Sequence, residues 1–221
     1  MRPGEVSLAH GGVLFLDELG EFAPTVLDML RQPLEDGTVR VSRAGGSAEY
    51  PARVLLVAAM NPCPCGGSAA PGGCRCPAVV RARYVRRVSG PLLDRFDLRV
   101  GVHRPDPSDL LSGGAGESTS EVASRIRQAR QRATDRGVRA NSELSSRALE
   151  AAAPLEPAAV RRLEAELHAG RLSARGLQRV RSVALTMSDL SGRDVPLGSD
   201  LVDTALGLRI DPFRSEGFDV R

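Results

Sequence analysis

The apolar positions of the first hundred residues fall into short, unbroken runs separated by turn residues. Val13-Leu14-Phe15-Leu16 is bounded by Gly12 on one side and by Asp17-Glu18 on the other, which predicts a buried parallel strand. Pro24 opens a helix as a first-turn residue, Leu27, Leu30 and Leu34 give it an apolar face, and Asp36-Gly37 closes it. Thr38–Ser42 and Ser47–Ala52 alternate around the turn-rich Arg43-Ala44-Gly45-Gly46, the pattern of a β-hairpin. The run RVLLVAAM, Arg53–Met60, predicts a second fully apolar strand, and Leu98–Val102 a third. Between them Pro77 starts a basic helix that extends to about Val88.

Beyond this point the period changes from two to about four. Arg104–Gly116 is rich in Pro, Gly, Ser and Asp and reads as a linker. Ser118 and Glu121 form a capping box ahead of Val122, Ile126, Ala129 and Ala133, a helical stripe that stops at Gly137. Further helices are predicted over about 142–152, 157–169 and 173–190. The last of these places Leu177, Val180, Ala184 and Met187 on one face, with Gly192 as its stop. Ser199 or Asp200 caps a final helix to about Leu208. The expected fold class is α/β: an incomplete parallel sheet with flanking helices and a hairpin over residues 1–105, a linker over 106–117, and an all-helical domain over 118–221.

Composition limits the partners. With 42% hydrophobic and 3% aromatic residues and no tryptophan, the cores must be built from Leu, Val and Ala. The net charge of +3 is mild, and all of the positive charge is arginine. Arginines cluster at 81–87 and 125–139, which reads as solvated helix faces before it reads as a nucleic-acid surface. No apolar run is long enough to span a bilayer and the start MRPGEVSLAH is polar, so a cytoplasmic protein away from membranes is expected.

Four places carry candidate chemistry. An apolar strand ending in Asp17-Glu18 sets two acids at its carboxyl end, where open α/β sheets bind ligands. Asp17 can hold Mg²⁺ and Glu18 can orient an attacking water, or both can be an ordinary acidic strand cap. The second strand ends in Met60-Asn61-Pro62, and Asn61 at that edge either bonds a γ-phosphate or forms a turn. Arg95 lies between Asp94 and Asp97, as a structural ion pair or as a finger whose guanidinium fork meets a transferring phosphoryl group. Cys63-Pro-Cys65 and Cys74-Arg-Cys76 enclose eight residues; four thiolates suit a structural Zn²⁺, against free thiols or a redox pair. The scattered His10, His103 and His168 have no ligand spacing, and His10 reads as structural.

Taken together, VLFLDELGEF, TVRVSRAGGSAEYPAR, LLVAAMNPCPCG, SGPLLDRFDLRV and LSARGLQRVRSVALTMSDLSG closely resemble the magnesium-chelatase-like AAA+ proteins, and among them the YifB/ComM group, whose competence members are DNA branch-migration helicases. The resemblance spans nearly the whole chain. It implies a partial AAA+ core followed by a helical lid, ATP and Mg²⁺ as cofactors, and a homo-oligomeric, hexameric ring acting on DNA. It further implies that Asp17 and Glu18 are the Walker B acids, Asn61 the first sensor, Arg95 the arginine finger and Arg175 the second sensor. Without the resemblance, Arg175 reads as an exposed helical arginine. The hairpin tip, with Arg40 and Arg43, resembles a pore hairpin that contacts DNA; a plain solvated hairpin is the alternative.

One element of the family's pattern does not occur in these 221 residues: the phosphate loop G-x-x-x-x-G-K-[ST]. They are therefore expected to be the later portion of an ATPase module and to bind ATP weakly or not at all alone. Two further readings remain, a motor subunit of a metal chelatase and a non-catalytic, zinc-containing interaction fragment.

Overall fold

A computed structural model describes residues 2–43, 46–67, 74–102, 107–112 and 116–209. It divides into two compact units, one ending at Phe96 and the other beginning at Asp97.

In the first unit β1 (Val13–Leu16) pairs in parallel with β4 (Leu55–Ala58), in the register Val13↔Leu55 to Leu16↔Ala58. Gly12 and Leu19 extend the pairing at either end: Leu55 N–H donates to the Gly12 carbonyl at 2.9 Å and Leu19 N–H to the Ala59 carbonyl at 2.8 Å. A short helix α1 (Glu5–Leu8) precedes β1.

The predicted helix from Pro24 is two helices, α2 (Pro24–Met29) and α3 (Arg31–Asp36). Pro33 has no N–H to donate to the Met29 carbonyl, so the ladder breaks at Leu30. Gly37 closes α3 at φ 69°, a left-handed conformation costly to a residue with a Cβ. The hairpin β2 (Thr38–Arg43) and β3 (Gly46–Pro51) forms as expected and sets Arg40 opposite Glu49. The basic helix α4 (Ala78–Val85) starts at its cap Pro77, and Ser89 caps the one-turn α5 (Gly90–Leu93).

Leu19, Leu27, Val88 and Leu92 form the buried centre of this unit, with Leu16, Leu30, Leu34, Met60 and Phe96 packed round them. Only one face of the parallel sheet takes part. On the other, Val13, Phe15, Leu55 and Val57 are 58%, 58%, 63% and 41% exposed, although parallel strands normally bury both faces. The expectation that both apolar strands are buried thus holds for one face among the described residues. The expected third strand, 98–102, is absent: the segment pairs with no described strand, and Arg99 N–H donates to the Leu208 carbonyl at 2.6 Å.

The second unit is helical. Within the expected linker lies α6 (Pro107–Ser112). Helix α7 (Thr119–Asp135) has the anticipated capping box, with Glu121 N–H donating to Ser118 Oγ and Ser118 N–H to Glu121 Oε2. The helix expected from 142 begins later, as α8 (Ser146–Ala152). Leu144 is extended, and Ser145 Oγ accepts from Ala148 N–H to start the helix there. Helix α9 (Pro157–His168) follows, then α10 (Ala174–Ser191), capped by Ser173 and closed by Gly192 at φ 68°. The final helix α11 (Ser199–Gly207) is capped by Gly198 rather than by Ser199 or Asp200. Val180, Ala184 and Leu185 of α10 pack on Leu149, Leu163, Leu201 and Val202, so α10 is the central rod of this unit.

Ion pairs from Arg162 and Arg171 to the buried Glu166 hold its periphery. Arg171 Nε donates to Glu166 Oε2 at 2.7 Å, and Arg162 Nη1 bonds Glu166 Oε1. The Arg171 guanidinium, then that of Arg162, pulls the Glu166 carboxyl down to about 2 from the usual 4.5. A depressed carboxyl contributes stability that is complete above its unfolded value and lost as pH falls through the folded one. The helical unit is therefore expected to lose stability between about pH 5 and pH 2, with Glu166→Gln flattening that slope; urea unfolding followed across the window checks it.

Candidate functional site

The carboxyl ends of β1 and β4 lie side by side. The register Leu16↔Ala58 brings Asp17 level with Ala59, one strand spacing away, with Asn61 two residues further along the same edge. Asp17, Glu18 and Asn61 are all exposed there. Ala59 N–H donates to the Leu16 carbonyl at 2.9 Å, which locks the two strand ends together where these side chains emerge. Among the described residues no arginine pairs with Asp17 or Glu18, so both carboxylates are open to a cation or a water.

Glu18 stands at φ 51°, ψ 44°, the single non-glycine residue with positive φ among the described ones. Its N–H donates to Asp17 Oδ1 at 2.8 Å. A left-handed glutamate costs on the order of 1–2 kcal/mol, and such strain is characteristic of residues held for function. The turn that follows is clamped from the far side by a feature the sequence reading missed. Arg87 Nη1 donates to the Gly20 carbonyl at 2.6 Å and to Glu21 at 3.2 Å. The buried Tyr84 ring covers Gly20 so closely that any Cβ there would overlap it. The glycine after Asp-Glu-Leu was the one visible signal, since a close approach of a ring to backbone requires a residue without a side chain.

Arg95 is placed differently from a free finger. Its side chain is 8% exposed, with Nε donating to the Arg31 carbonyl at 2.9 Å, Nη1 to the Pro91 carbonyl at 2.7 Å, and Nη2 bonded to Glu35. Arg95→Ala is expected to destabilise the first unit by about 2 kcal/mol, since bonds to a charged donor are lost and their carbonyls left unmet. Urea unfolding measures this; an arginine serving only a neighbour would leave stability within about 0.5 kcal/mol.

Arg175 is exposed in the first turn of α10. Arg40 Nε donates to Glu49 Oε2 across the hairpin at 2.7 Å, so its charge is matched locally. Arg43 ends β2; its side chain and residues 44–45 of the tip lie outside the described residues. Much of the 125–139 arginine cluster serves the helical unit itself: Arg125 bonds Glu117, Arg132 the Gly192 and Arg193 carbonyls, and Arg136 Asp189. His10 is structural, its Nδ1 accepting from Arg53 N–H at 3.1 Å; His103 is outside the described residues.

The four cysteines converge. None forms a disulfide, and the four sulfurs lie within 4.8 Å of one another; Cys63 and Cys65 are 3.2 Å apart and Cys65 and Cys74 3.6 Å. Cys63 is fully buried. The Cys76 N–H holds the Cys74 thiol down, but burial and the neighbouring thiols outweigh it and push Cys74 up to about 12.

A parallel sheet with flanking helices, followed in sequence by a helical unit, makes this an α/β protein, and the carboxyl edge that carries the paired acids and the amide is where open α/β sheets generally bind ligands. Its family is more specific. The magnesium chelatase subunit ChlI family matches residues 1–110, and the ChlI C-terminal family 116–209. The chain belongs to the magnesium-chelatase-like family that includes ComM and YifB. It is 41% identical over 209 residues to competence protein ComM of Haemophilus influenzae, covering 94% of this chain and 41% of that protein. It is 44% identical over 195 residues to the uncharacterized protein YifB of Escherichia coli, covering 87% and 38%. An uncharacterized Mycobacterium tuberculosis protein is 47% identical over 212 residues, covering 94% and 42%. The chain thus spans about two-fifths of the length of these relatives. Among the described residues no helix is long and apolar enough to cross a membrane.

Proposed function

We propose that these residues form the hydrolysis-sensing portion of a AAA+ ATPase that couples ATP turnover to DNA remodelling, of the branch-migration or helicase kind. The observation that carries the reading is the shared sheet edge, where the β1–β4 register sets Asp17, Glu18 and Asn61 on adjacent strand ends. The donor set fits MgATP: Asp17 is an open, hard oxygen ligand for Mg²⁺, and Asn61 has an amide to offer a phosphate. Magnesium, when bound, neutralises charge on the phosphates. Glu18 holds the attacking water in line and accepts its hydrogen bond. Its strained backbone fixes that carboxylate relative to Asp17.

Arg95 acts on the nucleotide of the adjacent subunit in a hexameric ring. In that state it must leave Glu35 and the two carbonyls, so the finger is a switched arginine. Arg175 contacts the phosphates from the helical lid. Arg40 and Arg43 face DNA in the pore, with Arg40 exchanging Glu49 for a phosphate.

These 221 residues alone, having no phosphate loop sequence, are expected to bind MgATP weakly; micromolar binding by calorimetry would overturn that. The function itself is tested on the whole polypeptide by ATP turnover with and without forked DNA. Stimulation by the fork is expected. Turnover indifferent to DNA but raised by a porphyrin-metallating partner would assign the protein to the chelatase motors instead.

A further inference from the structure

We propose that Cys63, Cys65, Cys74 and Cys76 bind one structural Zn²⁺ that fastens the strand end carrying Asn61 to the start of the basic helix α4. The geometry comes first. A tetrahedral tetrathiolate zinc, with Zn–S near 2.3 Å, needs sulfur–sulfur separations of roughly 3.8 Å. The sulfurs here span 3.2 Å to at most 4.8 Å, close to that tetrahedron and well beyond the roughly 2.05 Å of a disulfide.

The surroundings supply the outer shell that thiolate sites use. Gly67 N–H donates to Cys65 Sγ at 3.4 Å, and such donors orient a thiolate and spread its charge. Gly66, at φ 68°, turns the chain so that the Cys63–Gly67 backbone doubles back. Four protein ligands fill the coordination sphere, so the ion has no open position and is structural rather than catalytic.

The placement gives the site its consequence. Cys63 follows Asn61 by two residues, and a Cβ on Gly66 would stand 4.0 Å from the Asn61 amide nitrogen. The loop bearing the first pair of thiols therefore leans on Asn61. Cys76 immediately precedes Pro77, the cap of α4, whose Tyr84 and following Arg87 clamp the Glu18-Gly20 turn. Apart from Cys63, none of the described residues of 61–67 and 74–76 belongs to the buried apolar set. A metal is thus what would order this loop against both ends of the sheet edge, and its binding energy would be folding energy for the loop. Zinc binding stands independently of the ATPase reading; only the meaning of holding Asn61 rests on it.

The test uses the full chain. Purified under reducing conditions, it is expected to hold roughly one equivalent of zinc by mass spectrometry of the metal. Cys65→Ser and Cys74→Ser are expected to weaken zinc binding by more than roughly 100-fold, beyond what outer-shell changes do. Circular dichroism of the helical unit should be unchanged in both. Stripped protein titrated with Co²⁺ should show the thiolate charge-transfer and tetrahedral d–d bands. Zinc should also slow hydrogen exchange over 59–67 and 77–85. Metal content unaffected by the two serines, no cobalt spectrum, or a stoichiometric disulfide in the reduced-purified chain would each overturn the proposal. An ATPase that turns over normally without zinc would leave the site standing and remove its link to Asn61.

Discussion

Asp189→Ala is expected to destabilise the helical unit by about 3–5 kcal/mol, enough to lower its unfolding midpoint by more than about 10 °C. Asp189 lies on α10 with its side chain 1% exposed. Both its oxygens are used: Arg136 Nη1 donates to Oδ2 at 2.7 Å, Arg136 Nη2 bonds Oδ1, and Asn141 Nδ2 donates to Oδ2 at 2.8 Å. Arg136 also reaches Asn141 Oδ1 at 2.9 Å, closing a triangle that ties the end of α7, the turn at Asn141 and α10 together. Removing the carboxylate leaves a half-buried guanidinium and a buried amide facing an empty site, which is worse than losing an exposed pair. Asp189→Asn keeps the shape and part of the bonding and should cost roughly half as much. Calorimetric unfolding of the three proteins decides the matter; a change under about 1 kcal/mol for the alanine would show the network to be dispensable.

Glu18→Gln is expected to lower ATP turnover of the whole polypeptide by roughly 10²–10⁴-fold while leaving MgATP binding intact. Glutamine keeps the size and the hydrogen-bonding oxygen but cannot accept the water's proton. The left-handed backbone of Glu18 tolerates the change because neither residue differs in its Cβ. Asp17→Asn should differ in kind, weakening the dependence on Mg²⁺ rather than the water step. Stopped-flow nucleotide binding beside steady-state turnover separates the two. Equal losses in binding and turnover for Glu18→Gln would remove it from the hydrolytic role.

The two predictions differ in how visible their residues are in the sequence. Asp17 and Glu18 are legible because an apolar run ending in two acids is a local pattern, and the strand's direction alone sends them to the carboxyl edge of the sheet. The cysteines are similar: two C-x-C pairs fourteen residues from end to end can meet through one loop. Asp189 gave no such signal. It sits in an ordinary helical stripe, and its partners Asn141 and Arg136 are 48 and 53 positions away. The same applies to Arg95, whose neighbours in sequence suggested a pair with Asp94 or Asp97. The structure instead pairs it with Glu35 of α3, 60 residues earlier.

What the sequence determined by itself is whatever depends on neighbours along the chain: the capping box of Ser118, the N-cap at Ser173, the hairpin, the stop at Gly192, the paired acids and the family. Those are set by hydrogen bonds and dihedral preferences within a turn or two. What only the tertiary structure decided depends on distant partners. Residues 98–102 have a strand-like pattern but pair with no described strand. Val13, Phe15, Leu55 and Val57 are apolar yet uncovered on one face, because burial requires a second layer that a strand cannot supply for itself. Arg40 is expected to face DNA from the hairpin, and its charge is met by Glu49 across the ladder. Periodicity states which face is apolar; only packing states what, if anything, lies against it.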